Sequence, residues 1–153
     1  MIRIICLYGI RRVAGLVFAL IAAAPLLTAP LAWAAGENDV VTTKILETSV
    51  TNTGDPIVYP ETDHPLITVA IVEIAPGGST PVHRHPHPMA AYILEGTLEV
   101  TAADGTVNLY QAGDALVEAL DENHQGRVIG DAPVRIVITV MGVAGDPVSI
   151  VQE

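Results

Sequence analysis

Residues 77–96 read GGSTPVHRHPHPMAAYILEG, and the rest of the chain is best interpreted outward from this stretch. It contains three of the five histidines of the protein, His83, His85 and His87, at alternate positions. In an extended chain, residues two apart project from the same side. Because imidazole is the commonest side-chain ligand for first-row transition metals, the spacing predicts one pocket in which these side chains bind a metal.

The alternation of histidine with proline has a second interpretation, which is a stiff and solvated loop. The flanking sequence favours the metal pocket. An apolar run at residues 66–74 ends in a turn signal at 76–78, and another apolar run at 90–94 follows the histidines. Histidines between two buried strands are more consistent with ligands than with solvent-facing side chains.

The stretch resembles the first motif of the cupin superfamily, which is a glycine, five residues, His-x-His, three or four residues, a glutamate, six residues and a glycine. Gly77, His83, His85 and Gly96 fall on this spacing. The glutamate of the motif is replaced by Met89, which cannot supply a charged oxygen ligand.

A weaker resemblance to the second cupin motif follows. Gly113 and His124 keep the spacing of its first glycine and its histidine. Ala119 and Asp121 stand where the motif has proline and glycine, and Val128 stands where it has asparagine. His124 therefore lies where the family supplies a further imidazole.

The resemblance covers residues 66–142 and implies an all-β fold, the double-stranded β-helix or jelly-roll barrel of cupins. The composition agrees, because short β-branched and aliphatic runs alternate with Gly, Pro, Asn and Asp. Asp104-Gly105 predicts a tight hairpin turn of the primed type. The strands predicted from these runs lie at residues 44–50, 57–59, 66–74, 81–85, 90–94, 97–102, 106–110, 115–119, 124–129 and 134–143.

The first 34 residues differ from the rest. Three arginines precede an uncharged apolar run that starts at Val13, and the segment ends in the small-x-small sequence Ala32-Trp33-Ala34. This pattern is typical of a secretory signal peptide cleaved after Ala34, although the run is long enough for a membrane anchor. We expect a signal peptide at 1–34, a polar lead-in at 35–43, a barrel at 44–153, and a periplasmic or secreted protein with no membrane contact after cleavage.

The charge of the chain excludes one class of partner. It has 17 acidic and seven basic residues, a formal net charge of −10, and three of the basic residues lie in the predicted signal peptide. Such a surface repels phosphate backbones, so nucleic acid is not an expected partner. Cleavage would also remove Cys6, the single cysteine, so neither a disulfide nor thiolate chemistry is expected.

Two predicted strands, at residues 66–74 and 134–143, are apolar at almost every position. Both faces of such strands should be covered, one by the barrel core and the other by a second subunit. We expect a homodimer.

The resemblance implies that His83, His85 and His124 bind a divalent transition metal. Imidazole ligands suit Fe, Zn, Mn, Ni and Cu, so the metal could be any of these. A site of three neutral imidazoles without a carboxylate keeps the full charge of the metal. It would favour an anionic or chelating oxygen from a small-molecule substrate.

The role of His87 stays open between a fourth metal ligand, a proton shuttle beside the ligands and a surface histidine at a turn. Met89 and Tyr92 are expected to line the barrel. Glu118 or Glu122 is expected to orient a ligand histidine through a hydrogen bond.

Two classes of function fit this sequence. One is a metal-dependent enzyme, a dioxygenase-type oxidoreductase acting on a small phenolic or other oxygen-chelating compound. The other is a non-catalytic module that binds a small molecule or a metal. The sequence contains neither a nucleophile with its base nor a phosphate-binding loop, which disfavours hydrolases and nucleotide enzymes.

Overall fold

The computed structural model describes residues 40–153. The predicted signal peptide and the first five residues of the predicted lead-in lie outside the described residues. Within residues 40–153, no helix has the length and apolar character needed to span a bilayer.

The described part of the chain contains nine β-strands and no helix, which confirms the predicted all-β fold. Most strands begin or end at a glycine, proline or aspartate turn, as the sequence predicts. The strands are β1 (Pro65–Ile74), β2 (His83–Arg84), β3 (Met89–Glu95), β4 (Thr97–Ala102), β5 (Val107–Gln111), β6 (Ala115–Val117), β7 (His124–Val128), β8 (Val134–Val143) and β9 (Ile150–Val151).

The strands form two antiparallel sheets, one in the order β1-β8-β3-β6 and the other in the order β5-β4-β7-β2-β9. Apart from β4 and β5, neighbouring strands in each sheet are far apart in sequence, as in the pairing of β1 with β8 from Pro65↔Val143 to Ile74↔Val134. This alternation of strands between two sheets is the arrangement of a double-stranded β-helix.

The core lies between the two sheets and follows from strict alternation along the strands. In β8 every second residue from Val134 to Gly142 is buried, and in β4 the buried residues are Leu98, Val100 and Ala102. Ile93 and Val134 are fully buried. Since side chains alternate across a strand, one face of each sheet packs inward and the other face remains outside.

The predicted hairpin at Asp104-Gly105 joins β4 to β5. Only Gly105 has a positive φ, of 86°, so the connection differs from the expected primed turn, in which both central residues need positive φ. The Asp104 carboxylate stabilises the loop instead by accepting hydrogen bonds from the backbone N–H and the hydroxyl of Thr106, at 2.8 and 2.9 Å.

Two predicted strands were wrong and a third was too long. Residues 44–50 and 57–59 form no sheet strand, and the bridge in this region joins Val50 to Pro56. These apolar residues lie instead along the outer face of the four-stranded sheet, where Ile45 and Tyr59 line a groove with Ala90. The predicted strand at 81–85 shrinks to β2.

The outer face of the four-stranded sheet is apolar at its exposed edge. On β1, Ile67, Val69 and Ile71 expose 60%, 65% and 55% of their surface. Among the described residues, β1 is therefore covered by the core on one side only. The outward residues of β8 are half-buried, and Val137, Thr139 and Met141 line the groove described above.

Candidate metal centre

Three of the predicted ligand side chains lie together at one end of the barrel. His83 opens β2 and pairs directly with His124, which opens β7. His85 follows two residues after His83 and therefore projects from the same side. The ring centroids of the three imidazoles are 4.6 to 5.0 Å apart.

Each of the three rings is fixed by a hydrogen bond from its Nδ1. The acceptors are the backbone carbonyl oxygens of Pro81 for His83, at 2.9 Å, of Val148 for His85, at 2.8 Å, and of Glu122 for His124, at 2.9 Å. Because a carbonyl oxygen only accepts, Nδ1 carries the proton in every case. In the neutral imidazole Nε2 then keeps its lone pair, which is the tautomer that binds a metal.

A buried carboxylate completes the cluster. The Oε2 atom of Glu118 lies 3.1 Å from Nε2 of His85 and 2.8 Å from Nε2 of His124. The ligand atoms of His83, His85, His124 and Glu118 all lie within 4.8 Å of one another. This His/Glu cluster is therefore positioned to bind a metal ion.

Glu118 stands in a particular relation to Met89, the residue that replaces the motif glutamate. Its N–H donates to the carbonyl oxygen of Met89 at 2.9 Å, which continues the antiparallel pairing of Ala90 with Val117. Residues directly opposite each other in such a pair project from the same face. The carboxylate missing from β3 is thus supplied by the chain directly opposite.

The charges of the metal-free cluster are coupled. Burial raises the pKa of Glu118, but the imidazoles of His124 and His85 more than offset this and hold it at about 2. Burial lowers the pKa of His124, yet the Glu118 carboxylate raises it above the ordinary value. The pKa of His83 is lowered, chiefly by burial. The cluster therefore keeps an ionised carboxylate facing a histidine that readily takes up a proton.

One buried atom of the cluster fits a bound metal. Nε2 of His124 is buried and lies 2.8 Å from the Glu118 carboxylate, but it has no partner in hydrogen-bonding geometry. Nε2 of His85, in contrast, is hydrogen-bonded to the same carboxylate at 3.1 Å. The donor set of three imidazoles and one carboxylate suits Fe, Zn, Mn, Ni or Cu.

The cluster forms one end of a cavity of about 220 Å³. Apart from the four polar side chains of the cluster, the walls are mostly apolar, and no described residue that lines them is a lysine or an arginine. The other lining residues are Val72, Ile74, Thr80, Pro81, Met89, Leu98, Val100, Gly126, Ile136, Ile138, Val148, Ser149 and Val151.

The remaining residues singled out in the sequence lie elsewhere, apart from Met89, which lines the cavity. Tyr92 is three residues further along β3, so it points to the outer face and lines the external groove, contrary to expectation. Glu122 contributes only its carbonyl oxygen, to His124.

His87 does not join the cluster, although its spacing predicted that it would share the pocket. Its Nε2 donates to the Asp146 carboxylate at 2.8 Å. The alternation that places His83 and His85 on one side requires an extended chain, which continues past β2 as far as His85 through its bridge with Leu120. The chain bends at Pro86 and His87, so His87 turns toward the end of β8.

Residues 70–141 match the family described as Cupin domain. The matched region begins in the middle of β1, ends near the end of β8 and contains all four residues of the cluster. This chain is a member of the cupin superfamily. No curated protein sequence matches this cupin.

Two solved structures illustrate its likeness to known proteins. A Lactobacillus farciminis oxalate decarboxylase, in a formate complex, is 28% identical with a TM-score of 0.50, over 56% of this cupin and 26% of that chain. DMSP lyase DddQ from Ruegeria pomeroyi DSS-3 is 20% identical with a TM-score of 0.51, over 65% of this cupin and 47% of that chain. The cupin thus spans about a quarter and about half of these two proteins, and the second likeness shows the fold alone.

Proposed function

We propose that this protein is an exported metal-dependent cupin in which His83, His85, His124 and Glu118 hold a divalent transition metal beside a cavity for a small organic ligand. One observation carries the proposal. Three buried or half-buried imidazoles, each with Nδ1 anchored to a carbonyl oxygen, direct Nε2 toward a buried carboxylate at the end of an apolar cavity.

The charge of the cluster indicates the charge of the ligand. With Glu118 ionised, a divalent metal would leave the site with one positive charge, not the two expected for three imidazoles alone. A ligand with one negative charge, such as a phenolate or an enolate oxygen, neutralises it. A bound metal would supply Lewis-acid activation of that oxygen and, for a redox-active metal, reactivity toward dioxygen.

The walls of the cavity argue against a dicarboxylate. Oxalate would bring two negative charges, and no lining lysine or arginine is present to pair with the second. A buried charge without a partner costs several kcal/mol. The likeness to an oxalate decarboxylase therefore supports the cupin fold and does not extend to its substrate.

The volume of the cavity limits the size of the ligand. A cavity of about 150 Å³ with apolar walls is known to bind benzene. The 220 Å³ here suits a single ring with a few substituents, or an acid of similar size. Within the phenolic compounds expected from the sequence, catechol-sized molecules fit this cavity better than flavonoids with three rings.

The test is a screen of the metal-loaded mature protein, residues 35–153, in an oxygen electrode with catechols, small keto acids, flavonols and oxalate. We expect consumption of a single-ring or keto-acid substrate and no reaction with oxalate. Ligand binding without turnover would establish the alternative, a non-catalytic binding module. If none of these compounds binds or reacts, the proposed ligand class is wrong.

We also propose that the protein is exported through cleavage after Ala34 and forms a homodimer through the outer face of the four-stranded sheet. The exposed row of Ile67, Val69 and Ile71 supports the dimer, because scattered exposed apolar residues are common but a contiguous apolar strand face is not. Sequencing the amino terminus of protein recovered from the periplasm or the medium tests the export proposal.

A further inference from the structure

The C-terminal residues 146–152, called here the C-terminal strap, contact the metal cluster, the wall of the cavity and His87. Beyond β8 the chain turns at Asp146, whose N–H donates to the carbonyl oxygen of Val143 at 3.1 Å. The strap then runs past the metal cluster and ends by pairing as β9 with β2.

The strap contacts both metal-cluster histidines that come from β2 and its end. The Val148 carbonyl oxygen accepts the hydrogen bond from Nδ1 of His85 at 2.8 Å, and Val151 pairs with His83 across the ladder. The N–H of Gln152 donates to the carbonyl oxygen of Val82 at 2.9 Å. The tautomer and orientation of His85 thus depend on a backbone atom of the strap.

The strap also forms part of the ligand cavity. Val148, Ser149 and Val151 line its wall, and Val148 packs against the hydrophobic core. A segment of this length with only the two-residue strand β9 makes few ladder hydrogen bonds, and such segments open at low free-energy cost unless another contact holds them.

The other contact is the hydrogen bond between His87 and Asp146. The side chain of His87 is only 12% exposed, and its ring lies against Gly142, where a Cβ atom would approach its Cδ2 to 3.3 Å. This glycine therefore leaves room for the ring beside β8. The hydrogen bond joins Asp146, at the start of the strap, to His87, which lies 59 residues earlier in the chain.

We propose that His87 and Asp146 are positioning residues. Their hydrogen bond holds the C-terminal strap across the barrel, the Val148 carbonyl oxygen then keeps His85 in its metal-binding tautomer, and the strap completes the cavity wall. The metal-binding part of this inference rests on the proposed function. His87, the third histidine of the series, thus affects metal affinity through the strap and is not itself a metal ligand.

The test uses the mature protein with Asp146→Ala, the reciprocal exchange H87D/D146H, and Glu73→Ala as a matched control. Glu73 pairs with Arg135 at 2.9 Å on the outside of the four-stranded sheet, so its loss breaks an exposed ion pair away from the strap. The first measurement is hydrogen exchange of the metal-free proteins by segment. We expect faster exchange of residues 146–152 in Asp146→Ala, recovery in the exchange variant and no change in Glu73→Ala.

The second measurement is metal affinity by chelator competition. Loss of a group that orients a ligand histidine typically weakens metal binding 10- to 100-fold, and we expect a loss of about tenfold in Asp146→Ala that H87D/D146H restores in part. Unchanged exchange of residues 146–152 in Asp146→Ala would show that the His87–Asp146 hydrogen bond does not hold the strap, and unchanged metal affinity would show that the strap does not position His85. If the unsubstituted protein binds no metal, the proposed function fails, while the exchange measurement still decides whether this hydrogen bond holds the strap.

Discussion

At the scale of single residues, the site depends on which imidazole nitrogen carries the proton. Three backbone carbonyl oxygens, of Pro81, Glu122 and Val148, each accept from an Nδ1 and thereby direct an Nε2 lone pair inward. Without a metal, Nε2 of His124, which faces the Glu118 carboxylate, binds a proton more readily than an ordinary imidazole, because the pKa of His124 is raised. Protons and metal therefore compete for the same atoms.

This competition predicts opposite pH dependences for the metal-free and metal-bound protein. His124 has a raised pKa in the folded state, so its contribution to metal-free stability is complete below 6.5 and is lost as the pH rises through the raised pKa. Glu118 has a lowered pKa, so its contribution is present above 4.5 and is lost as the pH falls from 4.5 toward about 2.

Metal binding should instead strengthen as the pH rises, because His124 must lose its proton first. We expect the apparent metal affinity to increase through a midpoint above pH 6.5. Chelator competition across pH 5 to 9, beside thermal unfolding of the metal-free protein, measures both trends. A pH-independent affinity over this range would contradict the assignment of His124 as a ligand.

At the scale of elements, strand pairing determines where the carboxylate comes from. The all-β fold, most strand positions and the two cupin motifs could be predicted, since they follow from alternation, turn residues and spacing. Glu118 was predicted only to orient a ligand histidine, because its position opposite Met89 depends on the register of β3 with β6, and no local pattern specifies that register.

The same limit explains the other differences. Tyr92 was expected to line the barrel. It is three residues from Met89 on β3, so the two side chains face opposite sides of the sheet, and Tyr92 faces outward because Met89 faces inward. The sequence also did not show where the extended segment that begins at β2 ends. It therefore did not show that His87 points away from His85. β9 was missed because Ile150–Val151 is too short to show a periodicity.

The relation of Met89 to Glu118 predicts a rescue. Glu118→Met should remove a charged ligand and weaken metal binding by at least tenfold. The double variant M89E/E118M should recover a substantial part of that loss, because the two side chains project from the same face of directly opposed residues.

Chelator competition on the two variants and on the unsubstituted protein measures the effect, with denaturant unfolding to confirm that all three fold. Glu95→Met serves as the control, since Glu95 is an exposed glutamate at the end of β3 and does not line the cavity. Equal affinity of Glu118→Met and the unsubstituted protein would show that the carboxylate is not a ligand.

At the scale of the whole molecule, the exposed face of β1 predicts self-association. Val69→Lys should shift the mature protein from dimer to monomer, because a charge in the centre of an apolar interface must be desolvated. Val107→Lys is the matched control, since Val107 is an exposed valine, 52% accessible, on the edge strand β5 of the other sheet. Light scattering over a concentration series distinguishes the two. A monomer for the unsubstituted protein at every concentration would exclude the dimer.

The central claim, that this cupin holds a metal through its His/Glu cluster, is tested most directly by elemental analysis. The mature protein, residues 35–153, is purified without a histidine tag beside the variant H83A/H85A and analysed for Fe, Zn, Mn, Ni and Cu. The structure predicts about one metal ion per chain in the unsubstituted protein and its loss in the variant. No metal in the unsubstituted protein, even after reconstitution with each of the five ions, would contradict it.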